Sequence, residues 1–335
     1  MIEATSPTPQ GRITPEDSGI WSDEHIEGEW GLKKICEFAH SQGQKIGIQI
    51  GHAGRKASTV APWLSMGALA TKDVNGWPDE VIAPSAIPYN KDHAMPKEMT
   101  LQDIEDLKTA WVAGVRRAIK AGFDVIEIHN AHGYLLQEFI SPVSNKRTDK
   151  YGGSFENRTR LTLEIVDLTR KEMPKDMPLF LRISATDWLE HDGFEGDSWK
   201  VSDTVKLAPL LAERGVDLID ISSGGNHPSQ KIVPGPGYQA PFAKEVKKAV
   251  GDKLLVGCVG SITSGKQAEA ILTGKGEDSK GDTEVDLAIV GRMFQKNPGL
   301  VWAWAEELGV EINVANQIRW GFGGRGGKRA GAPKK

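Results

Sequence analysis

The sequence predicts an α/β protein of the (β/α)8 TIM barrel class, and three observations carry that expectation. Seven short, β-branched-rich segments recur along the 335 residues. Amphipathic helical patterns separate most of them, which implies parallel strands joined by crossovers. No Gly-rich turn follows the first segment, as an open dinucleotide-binding sheet would require. The length suits one barrel of roughly 250 residues plus insertions.

In chain order the segments are "MIEAT", "KIGIQI" (45–50), "DVIEIH" (124–129), "LFLRIS" (179–184), "DLIDIS" (217–222), "LLVGCV" (254–259) and "DLAIVG" (286–291). The clearest helix begins at Thr100, with Asp103 as its capping partner. It places Ile104, Leu107, Trp111, Val115 and Ile119 on one face, and Gly122 stops it. Further helices follow Ser154 and precede Gly215, and two more are expected to start near Ser264 and near Asn297. Seven strands are one fewer than a closed barrel needs. The barrel is therefore expected to lack its first strand and helix, which leaves two unpaired edges.

Residues 1–320 read as one domain. Residues 57–96, rich in Pro, Trp, Gly and Ala, are too long for an ordinary connection and are expected to form a lid-like insertion. The Gly-rich, basic tail "GFGGRGGKRAGAPKK" (321–335) is expected to be disordered. A single short RGG tail is a thin basis for RNA binding. The net charge of -4 gives no footprint for nucleic acid or an anionic membrane. No apolar run reaches the ~20 residues of a membrane span. Cys36 and Cys258 stand alone, with no metal or disulfide spacing. The first residues lack the basic and apolar stretches of a signal peptide, so a cytoplasmic protein is expected.

In a barrel, polar residues at the C-terminal ends of strands converge on one mouth. Gln49 lies within the second segment, with His52 and Arg55 just beyond it, and "SSGG" follows the fifth. Gly260-Ser261 and Gly291-Arg292 follow the last two strands, where glycines and helix starts commonly hold a phosphate. The bland alternative has the glycines turning the chain and Arg292 solvated. Gln49 and Arg182 interrupt apolar strands. Arg182 either pairs with Asp187 or Glu127, or faces a polar planar ligand together with Gln49. His129 closes its strand and His132 follows three residues later, so two imidazole N–H groups can meet one oxygen that gains charge. Tyr134 is a weak acid suited to protonating a nearby carbanion. The alternatives are a metal site, for which HxxH is a loose pattern, histidines satisfied by local backbone bonds, and a tyrosine that only packs.

These residues sit in motifs that resemble the Old Yellow Enzyme family of FMN-dependent ene-reductases, in the bacterial-type branch also found in fungi. The matching pieces are "PQGRIT", "GIWSDEHIEG", "GIQIGHAGRKA", "APSAI", "AGFDVIEIHNAHGYLLQEFISPVSNKRTDKYGGSFENRTR", "LRISATDW", "GVDLIDISSGG", "PGYQ" and "VGRMFQKNP". The resemblance implies FMN at the mouth, with Ala4 and Gln49 against the ring and Arg182 near its N1 edge. It implies Gly260, Ser261, Gly291 and Arg292 on the phosphate, His129 and His132 on the substrate's activating group, and Tyr134 as proton donor. It implies a ping-pong cycle in which NADPH or NADH gives hydride to flavin N5, and N5 gives it to the β-carbon of an electron-poor alkene.

Two departures from the family pattern carry expectations. The family's first strand, with its Pro-Met-Cys/Thr-like motif, precedes the counterpart of "IEAT", and neither Cys36 nor Cys258 matches that cysteine. An N-terminally shortened form is expected, and the alternative function is a non-catalytic barrel remnant with weak or no FMN binding. The branch often forms dimers or tetramers in which a C-terminal arginine enters a neighbour's site, and Arg319 is the candidate. Relatives that demethylate amines or reduce dienoyl-CoA carry Cys-rich clusters and extra domains, for which this chain has neither cysteines nor length.

Overall fold

The β-branched segments form one parallel sheet. The computed structural model describes residues 1–65, 67–275 and 283–323. Its strands are β1 (Ile2–Thr5), β2 (Gly47–Ile50), β3 (Ile82–Ala83), β4 (Lys97–Glu98), β5 (Val125–Asn130), β6 (Leu179–Ser184), β7 (Leu218–Ser222), β8 (Leu255–Val259) and β9 (Leu287–Ile289). The main sheet runs β1-β2-β5-β6-β7-β8-β9 in chain order, while β3 and β4 form a separate two-stranded pair. Every neighbouring pair is parallel. The sheet curls as part of an α/β barrel, and β1 and β9 are its edges among the described residues.

Helices α1 (Glu24–Glu27), α2 (Leu32–Ser41), α3 (Leu101–Ala121), α4 (Leu135–Ile140), α5 (Phe155–Glu172), α6 (Val201–Ala212), α7 (Ala240–Val250), α8 (Gly265–Thr273), α9 (Arg292–Lys296), α10 (Leu300–Leu308) and α11 (Trp320–Gly323) occur along the chain. The α3 helix shows why sequence pattern suffices locally. Thr100 and Asp103 complete a reciprocal capping box, and Gly122 ends the helix at φ 98°. Its apolar stripe buries Ile104, Leu107, Trp111 and Val115 in one core with Ile48, Ile50, Ile126 and Ile128. Because strand residues alternate between faces, Gln49, Glu127 and His129 take the side opposite those isoleucines.

Two expectations need correction here. A short helix that the sequence reading did not expect, α9, starts at Arg292 with Gly291 as its N-cap, ahead of the helix expected near Asn297, which starts at Leu300 as α10. Asn297 instead ends α9 in an extended conformation, because the following Pro298 disfavours the helical region for the residue before it. Several strands are also shorter than their apolar runs: β9 keeps only three residues of 286–291.

Within 57–96, short 3-10 turns at Lys72–Val74 and Pro78–Glu80 and the strand β3 interrupt irregular chain. Trp77, Val81 and Ala94 of this stretch form a small apolar cluster with Ala53 and Ala57, against which Tyr134 packs. The expected disordered tail lies largely outside the described residues. Among those described, no helix is long and apolar enough to cross a membrane.

Candidate active site

The chain reverses immediately after β5. His129, 3% exposed, is the last but one residue of the strand. His132 at φ 60° and Gly133 at φ 70° then turn the backbone through the left-handed region. Gly133 has no substitute here, since a Cβ would stand 2.1 Å from the Gly225 carbonyl oxygen. The turn sets the His132 and Tyr134 rings each 5.2 Å from the His129 ring. Three residues singled out by sequence therefore meet at one point.

The neighbouring loops fix that geometry. The His132 N–H donates to Ser184 Oγ at 2.9 Å, and Ser184 donates to the Gly224 carbonyl at 2.8 Å. His132 Nε2 and Ser222 Oγ are 2.8 Å apart. Lys56 Nζ donates to the carbonyls of His132 at 2.9 Å and Gly225 at 3.0 Å, clasping the turns after β5 and β7. The same ammonium lies 4.7 Å from the Tyr89 ring centroid and 5.2 Å from that of Tyr134.

Burial sets the protonation states. It pushes His129 down to about 3, aided by the Arg182 and Lys56 charges. His132 falls well below its ordinary value for the same reason, with His129 adding to the effect. Both are neutral imidazoles near pH 7, each with one N–H to donate. Burial pushes the Tyr134 phenol up to about 12, so it keeps its proton. His129 Nδ1 has no hydrogen-bond partner among the described residues, so the alternative of locally satisfied histidines fails at this atom. Among the described residues no group of His, Cys, Asp and Glu could hold a metal ion.

Gln49 and Arg182 lie on the same polar side. Gln49 pairs in register with Ala4 on β1 and with Glu127 on β5. Gln49 Nε2 donates to Glu127 Oε1 at 3.0 Å. Arg182 is level with His129 on one side and with Asp220 on the other. Its Nε lies 3.1 Å from Asp220 Oδ2. The partner is thus Asp220, not Asp187 or Glu127. Asp187 is occupied by Gln137, Ser141 and the Trp199 N–H.

The paired ends of β8 and β9 bring the two glycine loops side by side, since Val259 is in register with Ile289. Gly260 at φ 120° and Ser261 at φ 51° turn the chain toward α8, whose N-cap is Ser264. Gly291 and Arg292 are exposed on the adjacent loop. These features suit FMN: backbone and a cation beside one loop pair, and further along the sheet the Arg182 guanidinium, whose Nε has no hydrogen-bond partner among the described residues, on the same side as the Gln49 amide. Arg319 lies in an exposed turn just before α11.

Two residues near the mouth were passed over in the sequence, and only the first gave a signal there. Asp220 interrupts the apolar "DLIDIS" as Arg182 interrupts "LFLRIS". Lys56 adjoins Arg55, but nothing local shows that it reaches two other loops. Arg55 itself braces the mouth from behind, donating to the Asn226 and Ile87 carbonyls. His52 is buried and neutral, accepting the Gly54 N–H at 3.0 Å, with burial pushing it down to about 4.

The NADH:flavin oxidoreductase / NADH oxidase family model matches residues 1–310. An NADH:flavin oxidoreductase of Gibberella zeae is 56% identical over 333 residues, covering 97% of this chain and 78% of that one. An NADPH dehydrogenase of Geobacillus thermodenitrificans is 44% identical over 322 residues, covering 96% of this chain and 83% of that one. Among solved structures, morphinone reductase in complex with tetrahydroNAD matches with a TM-score of 0.68 and 26% identity, over 93% of this chain and 78% of that one. A 2-naphthoyl-CoA reductase matches with a TM-score of 0.71 and 25% identity, over 88% of this chain and 43% of that one. The chain belongs to the NADH:flavin oxidoreductase / NADH oxidase family, the Old Yellow Enzyme family of flavin-dependent oxidoreductases.

Proposed function

We propose that this chain reduces activated C=C bonds of α,β-unsaturated carbonyl or nitro compounds, using FMN and NADPH or NADH. The observation that carries the proposal is the convergence of His129, His132 and Tyr134 on the polar side of the sheet that presents Gln49 and Arg182. Ala4, Gln49 and Arg182 would hold the flavin ring, and Gly260, Ser261, Gly291 and Arg292 its phosphate. When bound, FMN supplies the hydride-transferring centre.

The chain's own residues account for the remaining chemistry. Neutral His129 and His132 donate hydrogen bonds to the carbonyl or nitro oxygen. That oxygen gains negative charge as the β-carbon is reduced, so the two donors bind the transition state more strongly than the substrate. Tyr134 delivers its proton to the α-carbon. A homodimer or tetramer that brings Arg319 to a neighbour's mouth belongs to the same proposal.

Purified protein incubated with FMN is expected to turn yellow and to oxidise NADPH when cyclohexenone is added. Tyr134→Phe is expected to lower alkene turnover by roughly 100-fold, the scale of general acid catalysis, while sparing flavin reduction by NADPH. His129→Ala with His132→Ala should weaken phenol binding at least tenfold, and unchanged binding would refute their role. A colourless protein that takes up no FMN favours the non-catalytic remnant.

A further inference from the structure

Two carboxylates lie on the inner side of the sheet, and the chemistry above uses neither. Glu127 precedes His129 by two residues on β5, and Asp220 precedes Ser222 by two on β7, so each lies one layer deeper than a mouth residue on the same face. Glu127 is 5% exposed and Asp220 2%. Burial pushes both acids up, Asp220 to about 7; Arg182 opposes the shift in each, the Gln49 hydrogen bond also opposes it in Glu127, and the Glu127 charge adds to it in Asp220.

Each acid stands directly beside one of the two polar side chains that interrupt apolar strands. The Glu127 carboxylate only accepts, so its contact with Gln49 engages the amide nitrogen and leaves the amide oxygen as an acceptor. Asp220 faces Arg182 Nε, and the two Nη groups donate to nothing among the described residues. This contact is an ion pair without hydrogen-bond alignment, since Arg182 Nε has no hydrogen-bond partner among the described residues, and Asp220 Oδ1 has none there either. The outcome is one free acceptor and one two-pronged donor on the same side of the sheet. That pattern complements a planar pyrimidine edge, which offers an N–H donor beside carbonyl and ring-nitrogen acceptors.

We propose that Glu127 and Asp220 are positioning residues for a flavin's pyrimidine edge: Glu127 sets the orientation of the Gln49 amide, and Asp220 aims Arg182 and offsets part of its charge. The proposal rests on the FMN reading. Its consequence is a penalty on the reduced flavin, because an Arg182 partly neutralised by Asp220 stabilises added negative charge less than a bare one does.

The test compares FMN-loaded wild type with Asp220→Asn, Asp220→Glu and Glu127→Gln, measuring the midpoint potential and the affinity for oxidised FMN. In Asp220→Asn the preference for reduced over oxidised flavin should rise about tenfold, which for a two-electron couple is about 30 mV upward. Asp220→Glu keeps the charge and should return the preference toward wild type. In Glu127→Gln the amide can invert, and oxidised FMN should bind about tenfold more weakly. A residue that merely supports the fold would weaken both redox forms alike, so an unchanged or lowered preference in Asp220→Asn overturns the proposal. Undiminished FMN affinity in Glu127→Gln removes the Glu127 half.

If wild type takes up no FMN, it is the cofactor reading that fails. The ion pair is then judged in the flavin-free chain by a double-mutant cycle of Asp220→Asn and Arg182→Gln in urea unfolding. A coupling below about threefold in the unfolding constant would overturn it.

Discussion

A carboxyl group enclosed by protein keeps its proton, and Glu138 beneath the mouth is such a group. It is wholly buried; Oε1 accepts the Arg55 backbone N–H at 2.9 Å, while Oε2 has no partner among the described residues. Burial pushes it up to about 8, against the pull of Arg55 and Lys56. The folded chain therefore holds a proton that the unfolded chain releases above its ordinary value near 4.5. The stability this group contributes is full below that value and is lost as pH rises through about 8. Glu138→Gln has nothing to release. Between about pH 5.5 and about pH 7.5 it should gain on wild type by roughly 1.4 kcal/mol per pH unit in urea unfolding. Parallel curves for the two proteins would show that the carboxyl titrates normally.

At the scale of elements, helix α3 is held by its cap and by one large side chain. Trp111 is fully buried, and its Nε1–H donates to Thr169 Oγ1 on α5 at 3.0 Å. Trp111→Ala should cost about 3–5 kcal/mol, the range for removing a large aromatic from a core. Thr100→Ala should cost about 1 kcal/mol by losing the capping box. Denaturant unfolding separates the two, and a Trp111→Ala loss as small as the cap's would mean that the α3–α5 contact is loosely packed. This helix was fully legible in the sequence because its cap, stripe and stop are local signals. The histidine turn was legible for the same reason: His129, His132 and Tyr134 lie within six residues of one another. The ion partner of Arg182 was not. Strand register, which no local pattern encodes, decides that Asp220 on the adjacent strand stands beside it. The start of α9 at Arg292 was also hidden, because Gly291 acts as N-cap without a side chain to announce the role.

For the whole molecule the consequence of the sheet order is mechanical. Ala4 lies on β1, while Gly291 and Arg292 follow β9, so the candidate FMN contacts include both edges of the described sheet as well as Gln49 and Arg182 between them. Edge strands share backbone hydrogen bonds with one neighbour only, and they are the first to open in local fluctuations. A ligand that touches both edges adds contacts where the sheet has fewest. Bound FMN should therefore slow amide hydrogen exchange in β1 and β9 more than in the central strands β5 and β6, which are already paired on both sides. Mass action sets the total gain at about 2.7 kcal/mol when free FMN is 100-fold above its dissociation constant. The pattern across strands is more informative than the total. Protection confined to β8 and β9 would mean that only the phosphate loops hold the ligand, and it would remove Ala4 and Gln49 from the flavin site.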